Sequence, residues 1–340
     1  MNQAFDIVVI GASLGGYRAL QNIISALPET YPVPLCIVQH IGRHESALPE
    51  LLQTVTGLTV RYATDREPLA PGRIYIAPPD RHLVIGDNRL RLSNGAKENY
   101  TRPAIDPLFR TAAVAYRERA IGLVLTGELD DGTVGLQAIK ACGGIAMVQD
   151  PQEAEAASMP RSALEHVEVD YCLPLDGIPQ TLIKLANGSP RAPAAHVPES
   201  VFFESRMNLS QESSMEELDK IGKPSRLTCP ECNGVLWEVN APEMLRFRCH
   251  TGHAFSAGAL DLAQNEQLEE AIWFAIRALH EKRRLLDRLA QSAREGEREH
   301  AAREYEKSAA LSLQHAARLQ ELVSVRQGET ATGSTEVDQP

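Results

Sequence analysis

Five continuous apolar runs, each closed by a turn, limit what this chain can fold into more than any other feature of its sequence. They are DIVVIG from Asp6, VPLCIVQ from Val33, GRIYIAP from Gly72, IGLVLTG from Ile121 and GGIAMVQ from Gly143. A strand with one wet face alternates apolar and polar residues, so an unbroken run implies burial on both faces. Helix-period segments fill several of the gaps: RALQNIISAL, DPLFRTAAVAYRER and GTVGLQAIKAC. Strands alternating with helices predict an α/β fold, a doubly wound and mostly parallel sheet, across residues 1–187. One stretch departs from the pattern. HLVIGDNRLRLS reads as a hairpin turning at Asp87-Asn88, and is expected as an insertion at the sheet edge.

Beyond Asn187 strand periodicity stops and Pro, Ser, Glu and Ala dominate. Residues 188–225 are therefore expected to form a linker with one short helix near Met215–Ile221. Next come a small zinc-ribbon-like module at 226–258, an α-helical segment at 259–326 and a disordered tail at 327–340. In the helical segment Leu268, Ile272, Ala275, Leu279, Leu286 and Leu289 recur at three- and four-residue steps or their multiples. After a break at Gly296, Tyr305, Ala309, Ala316, Leu319 and Val323 repeat the spacing. Such stripes predict a helical hairpin or helices that pair with a signalling partner; packing on their own domain is the alternative.

The 340 residues contain no apolar stretch of the ~18 residues that a membrane span needs, and no basic-then-apolar leader. A cytoplasmic protein without membrane insertion is the expectation. A formal net charge of -11 argues against broad nucleic-acid binding.

The first apolar run ends in Gly11-Ala12-Ser13-Leu14-Gly15-Gly16. A dinucleotide cradle wants glycine where Ser13 stands, and an acid after the second run, which ends instead in Gln39-His40. The spacing does satisfy G-x-S-x-G, a nucleophile on a tight turn, where flanking glycines let the backbone bend and a substrate approach. A helix starting there aims free N–H groups at the same point, which suits an oxyanion. A plain helix cap is the competing reading of Ser13. His40 closes the second run, and Asp130 and Asp131 follow the fourth. Ligands of open parallel sheets bind beyond the carboxyl ends of the strands, so serine, histidine and acid are expected at one edge. Their chain order, Ser-His-Asp, differs from the Ser-Asp-His order of α/β-hydrolases.

Residues 6–185 resemble the catalytic domain of the chemotaxis receptor methylesterases, the CheB-type protein-glutamate methylesterases. The likeness is carried by IGASLGG, IVQHI, GRIYIAPPDRHL, RPAIDPLFRTAA, LTGELDDGTVGLQAIKACGG and VQDPQEAEAASMPRSAL, in that order. It implies hydrolysis of glutamate γ-methyl esters on methylated chemoreceptor-type proteins, releasing methanol without any cofactor, with receptor glutamine deamidation as an accompanying activity. Carried over by motif, Ser13 is the nucleophile, His40 the general base and Asp131 the acid that orients the imidazole. Asp130 is the runner-up, since Asp131 directly precedes the motif's Gly132. Backbone N–H groups of Leu14, Gly15 and Gly16 are the oxyanion candidates.

Two departures from the family stand out. Relatives commonly carry a receiver domain ahead of the catalytic one, whereas the first strand here starts near residue 6, so that switch is expected to be absent. Where the family often reads T-G-M-G-x-D-G, this chain has Thr126-Gly127-Glu128-Leu129-Asp130-Asp131-Gly132. Facing the pocket, the Glu128 carboxylate would alter substrate preference or raise the His40 pKa. Arg102 in TRPAID and Arg161 in SMPRSAL are candidates for binding an acidic receptor segment, with a structural role as the alternative. A non-catalytic signalling adaptor, using the esterase fold as a binding surface, is the rival function.

A second constellation lies in CPECNGVLWEVNAPEMLRFRCHTGHAF. Cys229 and Cys232 form a Cys-x-x-Cys knuckle, and Cys249 with His253 completes a tetrahedral ligand set, His250 being the alternative fourth ligand. Four protein ligands fill the shell, so the expected Zn2+ is structural. A thioredoxin-like redox pair is the rival, without the βαβ context it needs. Lys220, Lys223, Arg226, Arg246 and Arg248 lie nearby among acids, which favours protein recognition over DNA.

Overall fold

The computed structural model describes residues 5–42, 46–188, 196–211, 214–240 and 244–332. One compact unit ends at Asp261, and a second begins at Leu262. In chain order the first unit contains β1 (Ile7–Ala12), α1 (Gly16–Ser25), β2 (Leu35–Gln39), α2 (Leu48–Gln53), β3 (Thr59–Tyr62) and β4 (Arg73–Ile76). It continues with β5 (His82–Gly86), β6 (Arg89–Ser93), α3 (Ile105–Tyr116), β7 (Ala120–Val124), α4 (Thr133–Ala141) and β8 (Ile145–Gln149). Then come α5 (Ser158–His166), β9 (Tyr171–Leu173), α6 (Gly177–Ala186), α7 (Glu199–Ser210) and α8 (Met215–Ile221). The cysteine-containing part is β10 (Gly222–Thr228), β11 (Val235–Val239), β12 (Arg246–Cys249) and β13 (Ala254–Ser256). Two long helices follow, α9 (Ala257–Glu295) and α10 (Glu299–Thr332).

Seven strands form a wholly parallel sheet in the order β3-β4-β2-β1-β7-β8-β9. All six residues of β1 are buried. Its Val8 and Ile10 pack with Leu20, Ile23, Ile178 and Leu182 of α1 and α6. Ile7 and Val9 pack on the opposite face with Phe109, Leu136 and Met159 of α3, α4 and α5. Both faces are covered, which is why the strand sequence is apolar without alternation. The five predicted strands are β1, β2, β4, β7 and β8. The edge strands β3 and β9 are only four and three residues long and partly exposed, so neither produces an apolar run.

The hairpin forms as predicted: β5 pairs antiparallel with β6, and Asp87 and Asn88 take φ of 52° and 54°. Both left-handed residues give the turn the twist a two-residue hairpin needs. Its expected place at the sheet edge is corrected, however, because β5 and β6 make a separate two-stranded sheet. Leu83, Ile85 and Leu90 are buried in the cluster beside α3, and Ile85 N–H donates to Thr111 Oγ1 on that helix. The hairpin caps a face of the core.

The segment read as linker holds the expected helix, α8, and an unexpected one, α7. The buried positions of α7 include Glu204 and Ser205, so it has no apolar stripe to betray it. Arginines satisfy the buried charge. Glu98 accepts from Arg110 at 3.1 and 3.2 Å, from Arg248 at 2.7 Å and from Asn208 at 2.6 Å. Glu204 faces Arg246 at 3.2 Å and Arg248 at 3.4 Å. Glu98, Arg110, Glu204 and Arg248 are each 1–3% exposed. The cluster therefore joins three segments: the loop and helix of the parallel-sheet domain, α7, and the cysteine-containing sheet. That last sheet is four-stranded and antiparallel, β10-β11-β12-β13.

In the second unit α9 and α10 are joined by a turn at 296–298, where Glu297 takes φ 55°. The buried positions are Ala263, Ile276, Ala290, Ala293, Ala302, Ala309, Ser312, Ala316 and Val323, while Leu268 and Leu289 of the predicted stripe are 49% and 38% exposed. Six of these nine positions are alanine, whose small side chain allows close helix approach. Backbone helix continues to Thr332, inside the expected disordered tail; residues 333–340 lie outside the described residues. No described helix is long and apolar enough to cross a membrane.

The buried cluster makes a pH prediction. Arg110 and Arg248 hold the Glu98 carboxyl well below its ordinary 4.5 against the opposing effect of burial, and Arg246 and Arg110 do the same for Glu204. Lowered folded-state values mean that this stabilisation is complete above about 4.5 and is lost as pH falls through them. Replacing Glu98 by Ala strands two buried guanidiniums and should cost about 3–5 kcal/mol at neutral pH. Chemical denaturation of the native and Glu98→Ala proteins at pH 7 and pH 3 would show the gap narrowing in acid.

Candidate active site and metal centre

Ser13 directly follows β1, His40 directly follows β2, and Asp131 lies between β7 and α4. β1 pairs with both β2 and β7. The chain runs outward from β1 to one side, then returns to the other with β7, so the three residues surround the topological switch point. Backbone bonds prolong the ladder to the site: Ser13 N–H donates to Thr126 O and His40 N–H to Ala12 O, each at 2.9 Å. Gln39 Nε2 donates to the Ser13 carbonyl at 2.7 Å, and Thr126 Oγ1 donates to the Leu14 carbonyl at 2.9 Å. The serine turn is thus tied from both neighbouring strands. At Gly15, φ is 78°, and a Cβ would lie 2.7 Å from that of Glu155, so glycine is required there.

His40 Nδ1 is 3.2 Å from Ser13 Oγ, and His40 Nε2 is 2.8 Å from Asp131 Oδ2. With Nε2–H donating to the carboxylate, the Nδ1 lone pair faces the serine hydroxyl, the arrangement a general base needs. Asp131 is buried and also accepts from Ile105 N–H at 2.7 Å, Asp106 N–H at 3.2 Å and Asn99 Nδ2 at 3.0 Å. Burial pushes its carboxyl up, but His40 and these amides outweigh burial and hold it below the usual range. Asp106 goes the other way. Burial first and the Asp131 charge second push it well above the usual range. Asp106 Oδ1 accepts from Gly132 N–H at 3.0 Å and Gly135 N–H at 2.7 Å, capping α4 from α3 and steadying the loop that bears Asp131. Asn99 Nδ2 bridges the two acids, donating to Asp106 at 2.9 Å.

The doubled acid divides its work. Asp131 meets His40, whereas Asp130 Oδ1 accepts from Ser256 Oγ at 2.8 Å, next to β13 and α9. The Gly16 N–H, expected to face an oxyanion, is committed to the Ser13 carbonyl at 2.9 Å. Among the described residues no acceptor takes the N–H of Leu14 or Gly15, which leaves those two open. Arg102 is spent internally, on Asp80 at 2.8 and 3.0 Å and on the Asn94 and Gly95 carbonyls, so it fastens loops instead of offering a cation. Glu128 is exposed and accepts from Ser158 Oγ at 3.3 Å, not from His40. Arg161 is exposed in the first turn of α5. The acid that borders the open cleft of about 490 Å³ over Ser13, Leu14, Tyr17 and His40 is Glu155. Sequence reading passed over Glu155, Asn99, Asp106, Gln39 and Thr126. Only the glutamine had a local signal, a polar residue closing an apolar run.

Cys229, Cys232, Cys249 and His253 form the second site, their ligand atoms all within 4.8 Å of one another. Cys232 and Cys249 Sγ are 3.6 Å apart, and Cys249 Sγ is 3.5 Å from His253 Nδ1. Thiolates ~2.3 Å from a tetrahedral zinc lie ~3.7 Å apart, so the donor set fits that ion in both number and spacing. His250 lies beside Gly234, outside the set. Two turns shape the centre: Asn233 N–H donates to Cys229 O at 2.8 Å, and Cys249 N–H to His253 O at 2.9 Å. The hydrogen bond shared by Cys229 and Cys249 draws the Cys249 thiol down, helped by His253 and Cys232, and pushes Cys229 up.

The family model described as CheB methylesterase matches residues 8–182. A relative from Leptospira interrogans is 42% identical over 183 residues, 53% of this chain and 95% of its own length. A protein-glutamate methylesterase/protein-glutamine glutaminase of Anaeromyxobacter dehalogenans is 43% identical over 181 residues, 53% of each chain. Among solved structures, the CheB methylesterase catalytic domain of Thermotoga maritima is 38% identical with a TM-score of 0.51. That match covers 53% of this chain and 98% of the other, so the cysteine-containing sheet and long helices lie outside it.

Close packing behind Ser13 gives a test. A Cβ at Gly127 would sit 2.1 Å from Met159 Sδ and 2.7 Å from Ser13 Cβ. Gly127→Ala should displace the serine and slow its reaction with a fluorophosphonate about 100-fold, since a 1 Å misplacement costs that order of rate. Labelling kinetics followed by mass spectrometry would measure it.

Proposed function

This chain belongs to the CheB methylesterase family, a family of carboxylic ester hydrolases, and from that premise we propose that it hydrolyses glutamate γ-methyl esters on chemoreceptor-type proteins. The observation that carries the reading is the continuous relay of 3.2 and 2.8 Å from Ser13 through His40 to buried Asp131. In this mechanism Ser13 Oγ attacks the ester carbonyl while His40 Nδ1 takes its proton. Asp131 keeps Nε2–H pointed at itself and stabilises the imidazolium that forms. The Leu14 and Gly15 N–H groups, at the start of α1, receive the developing oxyanion. Collapse breaks the bond to methoxide, which leaves as methanol with the proton from His40. Water then attacks the acyl-serine, giving its proton to His40, and the bond to Ser13 Oγ breaks. Ser13 regains its proton and the glutamate side chain departs as a carboxylic acid.

Glutamine deamidation follows the same path with ammonia as leaving group, and the printed double name of the Anaeromyxobacter relative favours including it. The cleft is open, and Leu14 and Tyr17 are exposed beside Ser13, as docking of another protein's side chain requires. In this reading residues 1–187 are the catalytic part. The Cys3His sheet and the helices after it serve protein recognition, the helices through a signalling partner.

Methanol release from a methyl-esterified receptor cytoplasmic fragment tests the proposal. Ser13→Ala should abolish release. Asp131→Asn should lower kcat about 10,000-fold, because the amide stabilises the wrong imidazole tautomer. Release by Ser13→Ala at the native rate would sink the reading.

A further inference from the structure

The Cys3His sheet does not hang from the catalytic domain by a tether. Its last strand is hydrogen-bonded into the loop that precedes α3. Asn99 N–H donates to Ala254 O at 2.8 Å, and Ala254 N–H donates to Lys97 O at 3.3 Å. Glu98 therefore pairs with Ala254 in a single parallel bridge. Ser256 N–H donates to Asn99 Oδ1 at 3.0 Å, and Ser256 Oγ donates to Asp130 Oδ1 at 2.8 Å. The other end of the Asn99 amide donates to Asp131 Oδ1 at 3.0 Å. The same loop carries Glu98, whose partner Arg248 directly precedes Cys249. Residue Ala254 directly follows His253. Arg248, before Cys249, thus bonds Glu98, and Ala254 and Ser256, after His253, bond Asn99, which itself touches Asp131.

We propose that Cys229, Cys232, Cys249 and His253 hold a structural zinc ion whose binding sets the triad through Asn99, making Asn99 a positioning residue that the metal module holds in place. This inference rests on Ser13, His40 and Asp131 being the reactive relay. The physical case is that a two-stranded hairpin as short as β12–β13 cannot bury enough apolar surface to be ordered alone. The strands β12 and β13 are four and three residues long. Ligand binding by Cys249 and His253 clamps the turn between them, so metal free energy becomes folding free energy of that hairpin. Without it, Ser256 and the Ala254 backbone no longer hold the 97–99 loop, and Asn99 is free to leave Asp131. Asp131 then lacks one of the amides that keep its carboxylate ionised and aimed at His40. Zinc takes no part in the chemistry in this scheme; its effect is on the geometry of a carboxylate.

The experiment uses the full chain, with zinc content determined by elemental analysis. Ser13 reactivity is read as the limiting rate of fluorophosphonate labelling, and the His40–Asp131 bond as the low-field imidazole proton resonance. Three samples are compared: zinc-loaded protein, protein stripped by a chelator and then reconstituted with zinc, and zinc-loaded Asn99→Asp. The isosteric Asn99→Asp variant keeps the ligand set and removes the donor to Asp131. The expected result is one zinc per chain in the loaded protein and about a 100-fold fall in labelling on stripping, with loss of the low-field proton. Both return when zinc is added back. Asn99→Asp should retain its zinc, yet label as slowly as the stripped sample and lack the resonance. Native-rate labelling by stripped protein or by Asn99→Asp would overturn the coupling and leave the esterase reading standing. Failure of the zinc-loaded native protein to label at Ser13 would overturn both.

Discussion

Parallel pairing of β1 with β2, in the register that sets Ala12 opposite Gln39, puts the next residues of each strand, Ser13 and His40, side by side. Pairing of β1 with β7 on the other flank does the same for the loop that bears Asp131. A parallel sheet aligns all its carboxyl ends on one edge, so three residues far apart in the chain meet without any of them being adjacent in sequence. The remainder of the site refines this first fact. Gln39 and Thr126 hold the serine turn, Asp106 caps α4, and Asn99 spans the two buried acids.

Buried charge is the second organising constraint. Asp131, Asp106, Glu98, Glu204, Arg110 and Arg248 are nearly inaccessible to water. Isolated, each would be too costly to bury; hydrogen-bonded and paired, they are tolerated and become directional. Apolar packing between the parallel-sheet domain and the cysteine-containing sheet would have allowed sliding. Guanidinium and carboxylate groups in this cluster do not, because each displaced bond strands a charge. Two of the basic residues noted in the sequence near the cysteines, Arg246 and Arg248, are consumed in this way.

How much was legible follows from how each feature signals itself. β1, β2, β4, β7 and β8 were visible because burial on both faces demands unbroken apolar runs. The site residues at their ends were visible because strand ends are where polar residues interrupt such runs. Edge strands β3 and β9 were not, being short and half wet. Helix α7 was hidden for a different reason: its buried face is Glu204, Ser205 and Met207, and a hydrophobicity pattern cannot register a charged interior. Asn99 gave no signal at all, since its importance comes from partners at positions 106, 131 and 256.

Local chemistry in the chain was sufficient to determine the doubly wound sheet, the serine turn, the histidine and acid at the same edge, and the Cys-x-x-Cys pair with its distant partners. These depend on periodicity and spacing, which are properties of neighbouring residues. Tertiary structure alone decided which aspartate faces His40, which histidine joins the cysteines, and that Glu128 and Arg102 make bonds away from Ser13. It also decided that the cysteine-containing sheet is bonded to the loop beside Asp131. Those outcomes hinge on the orientation of single side chains toward groups remote in sequence, and no periodic pattern encodes such a choice.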